Sequence, residues 1–245
     1  MVPLCVGAPV VNQSQAKAEQ VKEMFSAIAH RYDLINSLLS LGLDKWWRSQ
    51  AVKVALVGSP SNLLDIATGT GDLALAVKRH DPRVDVVGLD LSDSMLAIAR
   101  RKANLQGLQI TWEVGNASEL SFVDATFGAI TVAYGLRNFE NVDKCLSEFL
   151  RLLTPGGRLV ILEFTPPSSD VLGTLASLYS SKIVPAVGGI ISGNRRAYEY
   201  LPASIKEFVK PSILGQHMEL AGFCNVQYWR QFPGVSAVHL GVKPK

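Results

Sequence analysis

The sequence predicts an α/β fold: a doubly wound sheet with a C-terminal antiparallel hairpin, an N-terminal helical cap and a helical insertion. Three observations predict it. From Asn62 onward, short apolar runs alternate with amphipathic stretches, the pattern of strands and helices around a mostly parallel sheet. The first run, Leu63-Leu64-Asp65-Ile66-Ala67, passes directly into Thr68-Gly69-Thr70-Gly71, a glycine turn that opens a helix. The last two runs, 225–231 and 236–242, flank Phe232-Pro233-Gly234 and read as a hairpin.

Taken in order, residues 1–14 are expected to be extended or disordered, 15–60 to form the helical cap, and 61–245 the core, interrupted by an insertion at 166–210. In the cap, Val21, Met24, Phe25 and Ile28 fall at i, i+3, i+4 and i+7, a stripe that has to cover something. Strands are predicted at 62–67, 84–90, 109–114, 127–133 and 158–164, and helices at 72–79, 93–105 and 141–153. Ser92 or Asp93 caps the second of these helices, and Pro155-Gly156-Gly157 marks a turn into the fifth strand. After Glu163 the alternation breaks into a stretch rich in Ser, Gly, Pro and Tyr, and a helix at 212–221 precedes the hairpin. The order of strands in the sheet is not written in the sequence.

The glycine turn has two ligand readings. Gly69-x-Gly71-x-x-Ala74 fits a dinucleotide fingerprint, and Asp90 closes the second strand at about the ~20-residue distance of a ribose-binding acid. Asp65 at the tip of the first strand and Asp72 just past the turn argue for a different ligand, because a dinucleotide would bring its pyrophosphate there. Like charges about 4 Å apart interact by roughly 4 kcal/mol at an effective dielectric of about 20. S-adenosylmethionine has no phosphate and carries an ammonium and a sulfonium that carboxylates welcome. A purely structural role also stays open: a glycine turn for tight strand–helix packing, with Asp72 as a favourable charge at the helix N-terminus.

Composition narrows the classes further. A 245-residue chain with 48% hydrophobic residues has enough apolar material for a sizeable core. Its formal net charge of +3 comes without any Lys/Arg run, so no nucleic-acid partner is implied. Cys5, Cys145 and Cys224 are odd in number and far apart, which argues against a disulfide framework or a CxxC metal site, and no metal is expected. The first eleven residues lack the basic region of a signal peptide, no run reaches the ~18 apolar residues of a span, and the cytoplasm is the simplest setting.

Several longer motifs are more specific than the glycine turn. Tyr32-Asp33-Leu34-Ile35-Asn36-Ser37 leads to Gly42-Leu43-Asp44-Lys45-Trp46-Trp47, and Arg151-Leu152-Leu153-Thr154-Pro155-Gly156-Gly157 leads to Leu162-Glu163-Phe164-Thr165. Between and after them stand Tyr134-Gly135-Leu136-Arg137-Asn138, Ala197-Tyr198-Glu199-Tyr200-Leu201-Pro202-Ala203-Ser204-Ile205, and Gly234-Val235-Ser236-Ala237-Val238-His239. Over about residues 20–242 the chain resembles the ubiquinone/menaquinone biosynthesis C-methyltransferases. It departs from their pattern at Asp44, where the family usually has histidine, and at Thr154 and Thr165, which replace lysine and serine.

The resemblance implies a Rossmann-like, class I S-adenosylmethionine-dependent methyltransferase. It places Thr70, Asp90, Asn116 and Ala117 in the cofactor pocket, beside Asp65, Gly69 and Gly71 of the turn. Asp90 would take the ribose, and the Asn116 amide suits an adenine edge. A serine contact of the family is not carried over, because Ala133 stands there. The implied reaction is methylation of a ring carbon of a reduced, prenylated quinone. Demethylmenaquinol is expected over the benzoquinol of ubiquinone synthesis, from the short N-terminus and the likeness to bacterial menaquinone members.

Arg137 and Asn138, just past the fourth strand, are the expected substrate-facing pair, with Tyr32 as a third catalytic candidate. The alternative for Arg137 is a structural ion pair with Glu140 or Glu163, and for Tyr32 and Asp33 simple packing and capping. His217 and His239 read as surface or packing residues, and Tyr198 and Tyr200 either border a quinone channel or are core tyrosines. The apolar segment Val171 to Gly193 suits peripheral membrane contact or a buried substrate lid. Methylation of another small aromatic or lipid, a non-catalytic assembly subunit, a homodimer and a quinone-pathway complex stay open.

Overall fold

The structure is a computed structural model and describes residues 13–166 and 195–245, with Gly173, Thr174, Leu178, Tyr179, Lys182 and Pro185 of the segment between. The expected extended N-terminus and most of the 171–193 segment lie outside the described residues, as do the side chains of Val21 and Tyr198.

Seven strands, β1 (Asn62–Ile66), β2 (Asp85–Asp90), β3 (Thr111–Val114), β4 (Phe127–Ala133), β5 (Leu153–Phe164), β6 (Cys224–Gln231) and β7 (Ser236–Val242), form one sheet among the described residues. Their order is β3-β2-β1-β4-β5-β7-β6. β1 pairs in parallel with β2 (Leu63 opposite Val86) and with β4 (Leu63 opposite Ala129), so the winding direction reverses between β1 and β4. β7 alone runs against its neighbours, paired with β5 (Ile161 opposite His239) and β6 (Trp229 opposite Val238).

Seven helices of the described residues accompany the sheet: α1 (Gln13–Leu39), α2 (Leu43–Ala55), α3 (Asp72–His80), α4 (Asp93–Leu105), α5 (Val142–Leu152), α6 (Arg195–Glu207) and α7 (Pro211–Leu220). Strand periodicity sends successive side chains to opposite faces. Leu63, Ala129 and Val160 therefore meet Trp47, Ala51 and Val52 of α2 and Leu73 and Val77 of α3. Leu64, Ile130 and Ile161 meet Leu146 and Phe149 of α5 and Leu214 and Met218 of α7. Ser92 caps α4, its hydroxyl accepting from the Met95 N–H.

One element differs from expectation. β5 begins at Leu153 and carries Pro155-Gly156-Gly157 inside it, where the sequence suggests a turn before position 158. The Gly156 N–H donates to the Lys243 carbonyl at 3.0 Å and the Lys243 N–H to the Gly157 carbonyl at 2.9 Å, so the end of the chain supplies the ladder bonds that hold this stretch straight. Two of the four histidines, His217 and His239, have structural surroundings. His239 is buried with Nε2 donating to the Pro211 carbonyl at 3.0 Å, and His217 lies 2.6 Å from Asp143 near the surface.

α1 packs against α4, α2 and α6. Met24, Phe25 and Ile28 of the expected stripe do cover something: they pack with Tyr32, Ile35, Leu39 and Leu201, which continue the apolar face. Gly71 combines strain with close packing: its φ is +81°, and a Cβ there would lie 2.6 Å from the Trp112 ring and 2.9 Å from the Ala99 Cβ. Gly71→Ala is therefore expected to lower the unfolding free energy in urea by about 2–4 kcal/mol, combining left-handed strain with overpacking. A loss under 1 kcal/mol would show that the contact relaxes freely.

Candidate active site

The site lies where β1 and β4 diverge, the switch point at which ligands sit in open α/β sheets. Four left-handed residues shape it. Ala67, just past β1, has φ +53° and the turn continues through Gly69 at +57° and Gly71 at +81°. Tyr134, just past β4, has φ +59° and is another left-handed non-glycine residue. Such conformations cost about 1–3 kcal/mol each and persist only where packing over-determines them. Here Gly135 is the reason the two strand ends can approach, since a Cβ on it would meet the Ala67 Cβ at 2.5 Å.

Beneath the turn Asp65 is 1% exposed and accepts from the Thr131 hydroxyl of β4 at 2.6 Å and the Thr68 hydroxyl at 2.5 Å. Burial pushes its carboxyl up to about 6, against the opposing pull of those two hydroxyls and the Ala74 N–H. At the end of β2, Asp90 accepts from the Gly69 N–H at 2.8 Å and the Ser92 N–H at 2.9 Å. These bonds fix its plane at the wall of a cavity lined by Gly69, Leu89, Asp90, Leu91, Met95, Asn116 and Ala117. Burial raises the Asp90 carboxyl despite the N–H groups around it. Asn116 spends its Oδ1 on the Ser118 N–H and hydroxyl, each at 3.0 Å, which leaves its amide N–H groups for a ligand acceptor.

The same cavity continues past Tyr134 and Gly135 to Asn138, Phe139 and Glu140, and α1 closes it with Lys22, Phe25 and Tyr32. Burial raises the Tyr32 phenol above its ordinary value, against the pull of Arg137 and Asn36, so it stays protonated. Charged residues along the wall are Lys22, Asp90 and Glu140. One lysine against two carboxylates, with apolar walls between, suits a cationic nucleoside and rejects a pyrophosphate. The chamber thus has the charge and the room that S-adenosylmethionine requires, with the Asp90 carboxylate and the Asn116 amide on its wall and open space at Gly69 for close backbone approach.

A profile of the ubiE/COQ5 methyltransferase family matches residues 13–243. The chain belongs to the ubiE/COQ5 methyltransferase family. A demethylmenaquinone methyltransferase of Thermus thermophilus is 49% identical over 221 residues, covering 90% of this chain and all of that protein. The ubiquinone/menaquinone biosynthesis C-methyltransferase UbiE of Geobacter sulfurreducens is 40% identical over 230 residues, 93% of this chain and 90% of its own. Among solved structures, a SAM-dependent methyltransferase of Thermotoga maritima superposes with a TM-score of 0.62 at 20% identity, over 91% of this chain and 99% of that one. This ubiE/COQ5 family member is a methyltransferase, and its cofactor is S-adenosylmethionine.

Of the residues the sequence singles out in this ubiE/COQ5 family member, Gly69, Asp90, Asn116, Ala117, Asn138 and Tyr32 line the one chamber. Asp65, Thr70, Gly71 and Arg137 stand behind its wall. Thr70 donates to Asp33 of α1 at 2.5 Å, and Lys102 donates to Asp33 at 2.8 Å and also to Asp72. Arg48 lies 3.4 Å from Asp72, so fixed cations, not a ligand, take up the Asp72 charge. Burial would raise the Asp72 carboxyl, but Arg48 and Lys102 outweigh it and hold it low. The expectation that Asp72 waits for a ligand cation is therefore corrected.

Arg137 is buried too. It donates to the Tyr134 carbonyl, to Glu163 Oε1 at 2.7 Å and, from Nε, to the Ser204 hydroxyl at 3.3 Å. The ion pair that the sequence offers as an alternative is present with Glu163. Asp44 pairs with Arg48 at 2.5 Å and accepts from the Ser40 hydroxyl at 2.8 Å, giving this departure from the family pattern a defined partner.

Sequence reasoning missed Lys22, Phe25, Met95 and Phe139 as cavity residues, because each reads as an ordinary member of an amphipathic helix or loop. Ser92 was legible only as a helix cap, whereas it also bonds the Ser26 hydroxyl at 2.8 Å and so fastens α1 over the cavity.

Two buried titrations make opposite contributions over one pH range. Asp65, raised to about 6, favours the folded state when protonated, so its contribution is lost as pH rises from about 4 to 6. His239, pulled down to about 4 chiefly by burial, favours it when neutral, so its contribution is lost as pH falls from about 6.5 to 4. Asp65→Asn removes the first and leaves the second unopposed. Its unfolding free energy is expected to drop by about 2 kcal/mol more than that of the parent protein between pH 6.5 and 4. Parallel pH curves for the two proteins would contradict this.

Proposed function

We propose that this methyltransferase acts on the ring carbon of demethylmenaquinol to give menaquinol. The observation that carries the reading is the single chamber in which the Asp90 and Asn116 cradle meets the Asn138 amide and the Tyr32 hydroxyl. The activities for which the Thermus and Geobacter relatives are named support a quinol of this kind.

The bound cofactor supplies an electrophilic methyl group on a sulfonium. Asp90 and Asn116 would hold the nucleoside so that this methyl faces the Tyr134–Asn138 end. A quinol ring carbon becomes nucleophilic when its hydroxyl loses a proton, because the oxygen then pushes electron density into the ring. Asn138 would hydrogen-bond that oxygen, Tyr32 would close the chamber from α1, and the apolar walls would exclude water. Arg137 and Glu163 would serve from behind by fixing the turn that carries Asn138. As the new carbon–carbon bond forms, the methyl–sulfur bond breaks and S-adenosylhomocysteine is left; the methylated ring carbon then loses its hydrogen as a proton and the ring becomes aromatic again, so that one proton in all is released for each methyl transferred.

A prenyl tail has to be drawn from a bilayer. No helix of the described residues is long and apolar enough to cross a membrane. Peripheral contact by a cytoplasmic enzyme is the reading supported by Leu34, Leu38, Leu41 and Trp46, which stand exposed at the end of α1 and the start of α2. Co-sedimentation with liposomes is expected, and a protein that stays in the supernatant with and without quinone would refute the membrane contact.

The experiment for the reaction is transfer of labelled methyl from S-adenosylmethionine to chemically reduced demethylmenaquinone, beside the demethyl benzoquinol intermediate. Label is expected in the naphthoquinol, with activity lost by more than about 100-fold in Asp90→Ala together with its cofactor affinity. Label in the benzoquinol alone would transfer the assignment to ubiquinone synthesis. Label in neither, with cofactor still bound, would end the quinol reading.

A further inference from the structure

α6 grips the substrate end of the chamber at two points. The Tyr200 hydroxyl donates to Asn138 Oδ1 at 2.9 Å, and the Ser204 hydroxyl accepts from Arg137 Nε at 3.3 Å. Both of these partners, Arg137 and Asn138, sit on the three-residue helical turn Leu136–Asn138 that follows β4. Glu163 holds the same turn from below, accepting the Arg137 N–H at 3.2 Å and the Arg137 guanidinium at 2.7 Å. The backbone of the turn is thus fixed by Glu163, but the amide plane of Asn138 is not. An amide has a donor end and an acceptor end that differ little in shape, and only a hydrogen-bond partner decides which end faces the cavity.

Resting on the reading of this chamber as a quinol methylation site, we propose that Tyr200 is a positioning residue. A phenol hydroxyl donates more readily than it accepts, so Tyr200 favours the carbonyl end of Asn138 and leaves the amide N–H groups, rather than the oxygen, for the substrate oxygen. The consequence is chemical selectivity between two states of one substrate. An N–H donor stabilises a phenolate more than a phenol, since hydrogen bonds to an ionised acceptor are about twice as strong as neutral ones. An amide oxygen would do the reverse, accepting the phenol proton and holding the quinol in its unreactive form. Tyr200 therefore lowers the pH at which the bound quinol becomes a carbon nucleophile. Because Tyr200 belongs to α6, the donor is set only when this helix is seated on the turn.

The surroundings keep the arrangement constant over a wide pH range. Arg137, Glu163 and Glu207 are the charged groups that act on the Tyr200 hydroxyl, and burial, the largest influence, raises its pKa. The charged groups that line the same cavity as Asn138 are Glu140, Asp90 and Lys22, and Tyr32 lines it too. Asp33 of α1 is tied to Lys102. Tyr200 accordingly remains a protonated donor while the quinol titrates.

The test compares the full chain with Tyr200→Phe, which keeps the ring and removes one hydrogen bond. The assay is methyl transfer to chemically reduced demethylmenaquinone across pH 6–9.5, with binding of S-adenosylhomocysteine measured in parallel. Expected are unchanged cofactor affinity and KM, and a kcat about tenfold lower near neutrality. The deficit should close at high pH as the acid limb of the kcat profile moves up by about one unit.

In an Asn138→Ala background the same change should have no further effect, because Tyr200 acts through that amide. A loss of kcat equal at every pH, an unchanged profile, or additive losses in the double variant would each overturn the proposal. A Tyr200→Phe protein that no longer binds S-adenosylhomocysteine would also overturn it, by showing that the hydroxyl supports the whole chamber. If the parent protein methylates no quinol at any pH, the reading of the site fails first, and the two failures are told apart by that control.

Discussion

Everything at the site depends on the buried carboxylate of Asp65. It joins the Thr68 hydroxyl of the glycine turn to the Thr131 hydroxyl of β4, across the point where the sheet reverses direction. A buried carboxylate without such partners would be costly by several kcal/mol, so its two short bonds tie the glycine turn to β4, whose Thr131 stands opposite Asp65 in the ladder. Around this tie lie the left-handed residues Ala67 and Tyr134, the close approach of Gly135, and the Gly69 N–H that donates to Asp90. Asp65 acts on the ligand by shaping the turn that meets it. Much of its influence on charge is internal: its carboxyl is pushed up to about 6 by burial, an electrostatic strain held by the fold.

A second layer of charge fastens the cap. Asp33 of α1, Asp44 and Arg48 of α2, Asp72 of α3 and Lys102 of α4 form one chain of contacts around Thr70. Three carboxylates and two cations draw four helices onto the glycine turn, and α1 can then offer Lys22, Phe25 and Tyr32 to the cavity. The pairs of the network are partly buried, so each holds geometry more than it adds stability. A cation–π contact of Arg48 with Tyr134, 5.6 Å from ring centroid to guanidinium carbon, links this network to the end of β4. The glycine turn and the end of β4 therefore share one electrostatic frame.

Much of the fold was legible because its elements obey local rules. The period of two in β1 and β4, the Ser92 cap and the glycine turn each specify their own structure within a few residues. α6 was harder to read, since Pro202 interrupts the helical pattern, yet the helix runs from Arg195 to Glu207 through it. β5 also concealed itself: Pro155-Gly156-Gly157 has turn composition, and only bonding from Lys243, almost ninety residues later, keeps it in the ladder. Within the site, Asp90 and Asn138 could be named because they close strands or follow them. The separate tasks of Asn138 and Arg137, adjacent in sequence, could not, because a three-residue helical turn sends one to the cavity and the other to Glu163.

By itself the sequence determined the fold class, the glycine turn and its acid at Asp90, the methyl-donor cofactor and, through its motifs, the family. Those are encoded in residues close together, where hydrophobic period, turn chemistry and charge act over a few positions. Only the tertiary structure decided the strand order, the spending of Asp72 on Arg48 and Lys102, the burial of Arg137 against Glu163, and the hold of Tyr200 on Asn138. Each of these is a choice between partners distant in the chain. Such choices turn on angles and on distances of a few ångströms, which residue types and spacing leave undetermined.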